Sequence, residues 1–449
     1  MKQPWYTTTK RIEGPLIFLD NLDNPAYGEM TKIRVNDTVV NGQVLEATQD
    51  TAVIQVFSST VGFSKDIDVQ FQGSEATVDV STDTLGRTFD GLGNPLDDNS
   101  TYQGDETRTV NASAINPAAR TQPDQFIQTG VSAIDNMAPL VQGQKLPIFS
   151  HAGLPHDDLA AQIIRQADIP GEDLAIVFAA MGITNDEAQY FQNEFTKTGA
   201  AERTVSFLNL ADDPSVARII TPRAALTTAE YLAFDQGYNV VTVLTDFTNY
   251  CESLREISAA RNEIPGRRGY PGYMYTDLAQ IYERAGVING KPGSLTQIPI
   301  LTMPSGDKTH PVPDLTGYIT EGQIVLDDAL QRKNITPPID PLPSLSRLDP
   351  DESQTRDDHT AVADQLYAAY ARAKELRELV AVIGEDGLST TDEQFLSFGD
   401  AFEEHYLDQG FSTARSIDET LDTAWSLLSD LPRDELTKLD DDLLDKHHG

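Results

Sequence analysis

Two stretches of this sequence carry side chains suited to phosphate chemistry, and they do so in opposite ways. Residues 337–348 read PPIDPLPSLSRL, with prolines at 337, 338, 341 and 343, two serines and then Arg347. The prolines fix φ and largely forbid helix, so this is a stiff loop. A rigid loop presenting one guanidinium beside the small hydroxyls of Ser344 and Ser346 suits a phosphate, whose oxygens match the planar fork of arginine. An arginine that ties a linker to its own domain explains the same residues.

The second stretch, FSHAGLPHDDLAAQII (149–164), has the layout of a phosphate-binding loop without its chemistry. An apolar run from Lys145 to Phe149 enters a loop with one glycine, and an amphipathic helix follows. Phosphate binding there needs several glycines so that backbone N–H groups face the anion, then Lys for charge and Ser/Thr for Mg²⁺. No Lys occurs between Lys145 and Lys197, and GxxxxGK[ST] matches nowhere. His151 and His156 flank the loop with no metal-ligand pair beside them, and they read as loop or capping residues. No metal site is expected anywhere in the chain.

Two weaker candidates remain. VVTVLTDFTNY places Asp246 at the end of an apolar strand, where phosphate-loop NTPases hold their Mg²⁺ acid. An Asp that caps the next helix accounts for it as well. EIPGRRGYPGYMYTDL (263–278) sets Arg267 and Arg268 in a loop stiffened by Pro265 and Pro271, ready for an interface or for plain salt bridges.

The elements that must position these residues follow from pattern. Residues 1–75 hold short β-rich runs (PLIFLD, MTKIRV, TVVNGQVLEA, TAVIQVF) between turns, which predicts an N-terminal antiparallel β-barrel. Residues 76–347 alternate apolar strands (145–150, 174–182, 204–210, 239–247, 298–304, 318–326) with helices (156–167, 184–198, 212–236, 248–262). That predicts a central α/β domain on a mainly parallel sheet. Residues 348–449 lose the β signal and show three helical stretches, a C-terminal helical bundle.

Composition sets the surroundings. There are 70 acidic and 33 basic residues among 449, a net charge of −37. Such a surface repels itself at ordinary ionic strength, and molar salt shortens the Debye length to about 3 Å. The composition reads as adaptation to a salty cytoplasm. It disfavours nucleic-acid binding, since no basic stripe remains to release counterions. No apolar run approaches the roughly 18 residues of a membrane span. The opening MKQPWYTTTKRIEG has no apolar leader core, so the expected location is the cytoplasm. Cys251 stands alone, which excludes an internal disulfide, and reads as a small buried hydrophobe.

Together, FSHAGLPHDDLAAQI, ARIITPRAALTTAEYLAF, LTDFTNYCESLREISAARNEIPGRRGYPGYMYTDLAQIYERAG and PPIDPLPSLSRL resemble the B subunit of archaeal-type (A-type) and vacuolar-type rotary ATPases. The last fits the rotary α/β signature P-[SAP]-[LIV]-[DNH]-x3-S-x-S at Pro337 to Ser346, and the resemblance covers essentially the whole chain. It implies a RecA-like central domain whose own phosphate loop is degenerate. Catalytic relatives carry GKT and a general-base Glu in a GER segment; here SHAGLPHDD and MGITNDE stand in those places, with Ile183 at the Glu position. An isoleucine cannot deprotonate water.

The resemblance further implies a non-catalytic regulatory subunit of a proton-translocating A-type ATP synthase, alternating with catalytic A subunits in a hexamer. Arg347 would enter the neighbour's site in trans as an arginine finger, with Ser346 and Ser344 beside it at the ATP, while ATP/ADP and Mg sit at the interface rather than in this chain's own pocket. The rotor stalk and the stator stalk, the latter through the N-terminal domain, are the other implied partners. The implied place is the cytoplasmic face of the cell membrane, reached only through the complex. F-type α subunits keep their phosphate loop, so the missing Lys argues against them. Two alternatives stay open: a nucleotide-sensing ring subunit with ATP in its own pocket, and an autonomous ring ATPase. After Arg347 the sequence departs from the family pattern, because LDPDESQTRDDH (348–359) is short, acidic and free of Lys.

Overall fold

The computed structural model describes residues 4–447 apart from 37, 59, 98–101, 262 and 385–386. Its N-terminal part is one antiparallel sheet: β1 (Trp5–Tyr6), β2 (Thr9–Glu13), β3 (Leu16–Leu19), β4 (Met30–Val35), β5 (Thr38–Ala47), β6 (Ala52–Val56) and β7 (Asp68–Phe71). The strand order is β1-β7-β4-β5-β6-β3-β2. Period-two alternation makes it: in β4, Thr31, Ile33 and Val35 turn inward while Lys32 and Arg34 face out. Ile17, Ile33, Val44, Ile54 and Val69 are fully enclosed. This is the barrel-type domain expected; β1, β2 and β7, too short to show a pattern, complete it.

The central domain is built on a ten-stranded sheet. Its main path contains β8 (Thr88–Asp90), β9 (Ile148–Ser150), β10 (Leu174–Ile183), β11 (Thr204–Leu210), β12 (Asn239–Thr245), β13 (Ser294–Thr302), β14 (Gly322–Val325) and β15 (Leu345–Ser346). The order is β15-β14-β9-β13-β12-β10-β11-β8. Neighbours are parallel except at the edge, where β15 runs antiparallel to β14. Eight helices serve this domain: α1 (Ser132–Asp135), α2 (His156–Gln166), α3 (Asn185–Thr198), α4 (Ser215–Phe234), α5 (Phe247–Ala260), α6 (Met274–Tyr282), α7 (Pro311–Ile319) and α8 (Asp328–Arg332). The apolar run of β10 explains the layering. Ile176, Phe178 and Ala180 pack on the side of α2 and α3, while Ala175, Val177, Ala179 and Met181 pack on the side of α4 and α5. Cys251 lies in the second layer, fully buried.

One stretch differs from the sequence reading. Residues 318–326 are not one strand: Tyr318 and Ile319 end α7, and β14 begins only at Gly322. Pro311 and Pro313 sit in the first turn of α7, where the missing N–H costs nothing and His310 caps the helix. The far edge strand β8 lies in a glycine-rich stretch that no apolar periodicity marks.

The C-terminal domain comprises α9 (His359–Ile383), α10 (Thr390–Ala401), a π-helical turn (Phe402–Leu407), α11 (Ile417–Leu428) and α12 (Asp441–His447). Capping boxes at Ser389/Asp392 and Ser416/Glu419 start α10 and α11. Buried polar bonds fasten the bundle to α1: Asn136 donates to the Tyr406 hydroxyl at 2.7 Å, and the Ser132 backbone N–H to Gln409 at 2.9 Å. Among the described residues no helix is long and apolar enough to cross a membrane.

Candidate functional site

The loop after β9 holds none of the groups that grip a phosphate. Gly153 adopts φ 86°, but the turn is otherwise closed by side chains. His151 Nδ1 lies 2.9 Å from an Asp328 carboxylate oxygen at the start of α8. His156 Nδ1 turns back toward Ser150 Oγ at 3.2 Å and the Leu154 carbonyl at 3.0 Å. Both histidines are thus loop fasteners, and His151 takes its acid from across the fold, 177 positions away. Among the described residues no cluster of three or more His, Cys, Asp or Glu is placed to hold a metal.

The start of α2 is electrostatically wrong for an anion. Asp157 and Asp158 occupy its first turn, where a phosphate loop has Lys and Ser/Thr. Burial pushes the Asp157 carboxyl up; His156 opposes the rise, and Glu187, Asp158 and Asp246 add to it by repulsion. Tyr190 donates to Asp158 at 2.6 Å. A triphosphate would meet carboxylates where it needs donors, so these residues do not fit it.

Ile183 ends β10 at 5% exposure, packed in the apolar core. Asp246 is the helix cap: it accepts from Thr248 N at 2.7 Å and from Thr302 N at 3.2 Å, joining the ends of β12 and β13. Arg267 pairs with Asp314 at 2.8 Å and Arg268 with Asp307 at 2.7 Å. Bonds from Thr309 and from Arg268 hold the Asp307 carboxyl low, at about 2.

Arg347 is placed differently. Its backbone N–H donates to the Glu321 carbonyl at 2.9 Å, and its Nη1 to the Thr320 carbonyl at 3.2 Å. The residue is exposed, and among the described residues no carboxylate comes within ion-pairing distance of it. Most arginines of this chain are ion-paired, and Arg347 is among the minority that, like Arg165, Arg203 and Arg415, bond to carbonyls instead. The two serines are engaged behind it. Ser344, 4% exposed, donates to the Asp340 carbonyl at 2.6 Å and accepts from Val325 N at 2.9 Å. Ser346 donates to the Leu348 carbonyl at 2.8 Å and accepts from Gln144 at 2.8 Å. The structure therefore brings Ser344, Ser346 and Arg347 onto one braced loop, with Arg347 and Leu345 exposed and the serine hydroxyls bonded inward.

Gly322 makes this bracing possible. It pairs with Ser346 at φ 143°, and a Cβ there would lie 2.4 Å from the Leu345 carbonyl oxygen. The same pairing locates the loop. Arg347 lies level with Glu321, ahead of β14, whereas Phe149 lies level with Val325 at its end. From residue 321 to 326 the strand direction runs roughly 16 Å at about 3.3 Å per residue. Arg347 and the chain's own loop therefore sit at opposite ends of the sheet.

The sequence reading missed Gln144, Lys145 and Glu321 as the support of this loop. A polar pair just before an apolar strand carries no local signal of that role.

An antiparallel β-domain, a parallel α/β domain and a helical bundle, in that order, define the architecture of the rotary ATP synthase α/β-type subunits. Residues 10–73 match the β-barrel domain and residues 130–346 the nucleotide-binding domain of the ATP synthase alpha/beta family. Residues 348–448 match the C-terminal domain of V and A type ATP synthase. The chain is similar to a solved structure described as a unique ATP synthase subunit, NeqB, from Nanoarcheaum equitans. Identity is 40%, with 94% of this chain and 100% of that chain covered and a TM-score of 0.76. This chain belongs to the ATP synthase alpha/beta family, on its V and A type branch.

Proposed function

We propose that this chain is the non-catalytic, regulatory B-type subunit of an A-type ATP synthase, alternating with catalytic A subunits in a hexamer and supplying Arg347 to each neighbouring active site. The observation that carries this reading is the placement of Arg347. It is exposed, has no carboxylate partner among the described residues, and stands at the opposite end of the sheet from a phosphate loop that is itself unfit for phosphate. A guanidinium so held has no phosphate to reach in its own subunit, which favours action in trans. Phosphoryl transfer spreads charge over equatorial oxygens, and an arginine aimed there is worth roughly 10³–10⁵ in rate, about 4–7 kcal/mol.

In this reading the neighbour holds ATP or ADP with Mg²⁺, and Ser344 and Ser346 orient the finger without touching nucleotide. We take 1–75, 76–347 and 348–449 as the working domains: the first meets the stator stalk and the last passes rotor motion on. The complex sits on the cytoplasmic face of the membrane, couples to protons through other subunits, and works in a salt-rich cytoplasm that screens the charge of −37.

The test is turnover by this chain alone, by the catalytic partner alone and by the mixture, in molar KCl. Turnover confined to the mixture supports the proposal. Hydrolysis by this chain alone would favour an autonomous ring ATPase, and micromolar Mg-ATP binding by it would favour a nucleotide sensor.

A further inference from the structure

Arg347 is braced from beneath by a side chain that reaches no surface. Gln144 is fully buried, and its amide faces three ways at once. Its Nε2 donates to Ser346 Oγ at 2.8 Å and to the Glu321 carbonyl at 3.1 Å, while its Oε1 accepts from Val141 N at 3.0 Å. The Glu321 carbonyl is the one that accepts the Arg347 N–H, and Ser346 Oγ passes its proton on to the Leu348 carbonyl. Gln144 thus grips the residue before Arg347 and the carbonyl on which Arg347 hangs. Its own backbone is fixed by Gln297 N, which donates to the Gln144 carbonyl at 2.8 Å from β13. Lys145 clamps Glu321 from the other side, its N–H donating to Oε2 at 2.9 Å and its ammonium lying 2.6 Å from Oε1.

We infer that Gln144 is a positioning residue for Arg347, acting through Ser346 and the Glu321 carbonyl. The inference rests on the trans-acting reading of Arg347. A flexible arginine side chain just past a two-residue edge strand has few ways to keep its aim, and a misplacement near 1 Å at a reacting centre costs on the order of 10² in rate. One buried amide that fixes both flanking groups supplies that aim without contacting nucleotide.

The experiment is Gln144→Met, in wild-type and Arg347→Ala backgrounds, in the complex reconstituted with the catalytic subunit. Met keeps the volume and removes both donated bonds. Assembly, kcat and KM for ATP are measured. We expect assembly to persist, kcat to fall about tenfold or more with KM nearly unchanged, and no further loss on the Arg347→Ala background. Equal losses on both backgrounds, or an unchanged kcat, would overturn the inference in favour of a merely structural glutamine. An Arg347→Ala complex that keeps the full rate would overturn the finger reading itself, a separately visible result. Should Gln144→Met fail to assemble, Ser346→Ala removes one receiving group near the surface and must show the same non-additivity.

Discussion

The loops at the two ends of the β9–β14 strand pair differ in how they spend their polar groups. At the carboxyl end, His151, His156, Asp157 and Asp158 turn a phosphate-loop layout into a self-satisfied turn. Each histidine is tied to a partner within the chain, and acids crowd the start of α2. At the amino end, every group around Arg347 is spent on bracing, while the guanidinium keeps only a carbonyl contact. The difference lies in where charge is met by charge: acids crowd one loop, while among the described residues no carboxylate pairs with Arg347.

That comparison breaks first at Gly322. Gly322→Ala forces the Leu345 carbonyl away and tilts β15, and it should lower turnover of the assembled complex by about 10² while leaving the isolated chain folded. Steady-state kinetics beside thermal unfolding separates the two effects.

A smaller effect is expected at the other loop. Replacing Asp157 and Asp158 by Asn removes two carboxylates from the start of α2. At about 0.3–1 kcal/mol for each charge at a helix end, Mg-ATP affinity of the isolated chain should rise about 3- to 30-fold. Turnover by the isolated chain should stay absent, since lysine and glycine amides are still missing. Calorimetry and a phosphate-release assay check the two halves of that statement.

The smallest effect concerns the joint between the central domain and the helical bundle. Burial pushes the Asp135 carboxyl up to about 7, although three hydrogen bonds from Thr129 and Gly130 pull the other way. A carboxyl raised on folding favours the folded state most when protonated. Its contribution is full below the unfolded value near 3.9 and is lost as pH climbs through about 7. The stability of the wild type relative to Asp135→Asn should therefore decline between about pH 4 and 7, read by thermal unfolding at fixed molar KCl.

Much of this contrast was legible in the residues. The β10 run and the proline loop announced themselves, because burial on both faces and fixed φ leave marks within a few positions. Asp246 read correctly as a cap, since an Asp at a strand–helix boundary has a local reason to be there. Other features had no local signal. Residues 318–326 looked like one apolar strand because the end of α7 and the start of β14 adjoin there. The His151–Asp328 and Gln144–Ser346 contacts join residues 177 and 202 positions apart, so no periodicity could announce them. The exposure of Arg347 was equally hidden, because which groups a side chain meets is a property of the folded surface.

The most direct measurement is ATP turnover by the reconstituted complex in molar KCl with wild-type, Arg347→Lys and Arg347→Ala forms of this chain, each checked for assembly. The account predicts a loss of roughly 10³–10⁵ for Arg347→Ala, with little recovery in Arg347→Lys because the fork is missing. An assembled Arg347→Ala complex turning over at the wild-type rate would contradict it.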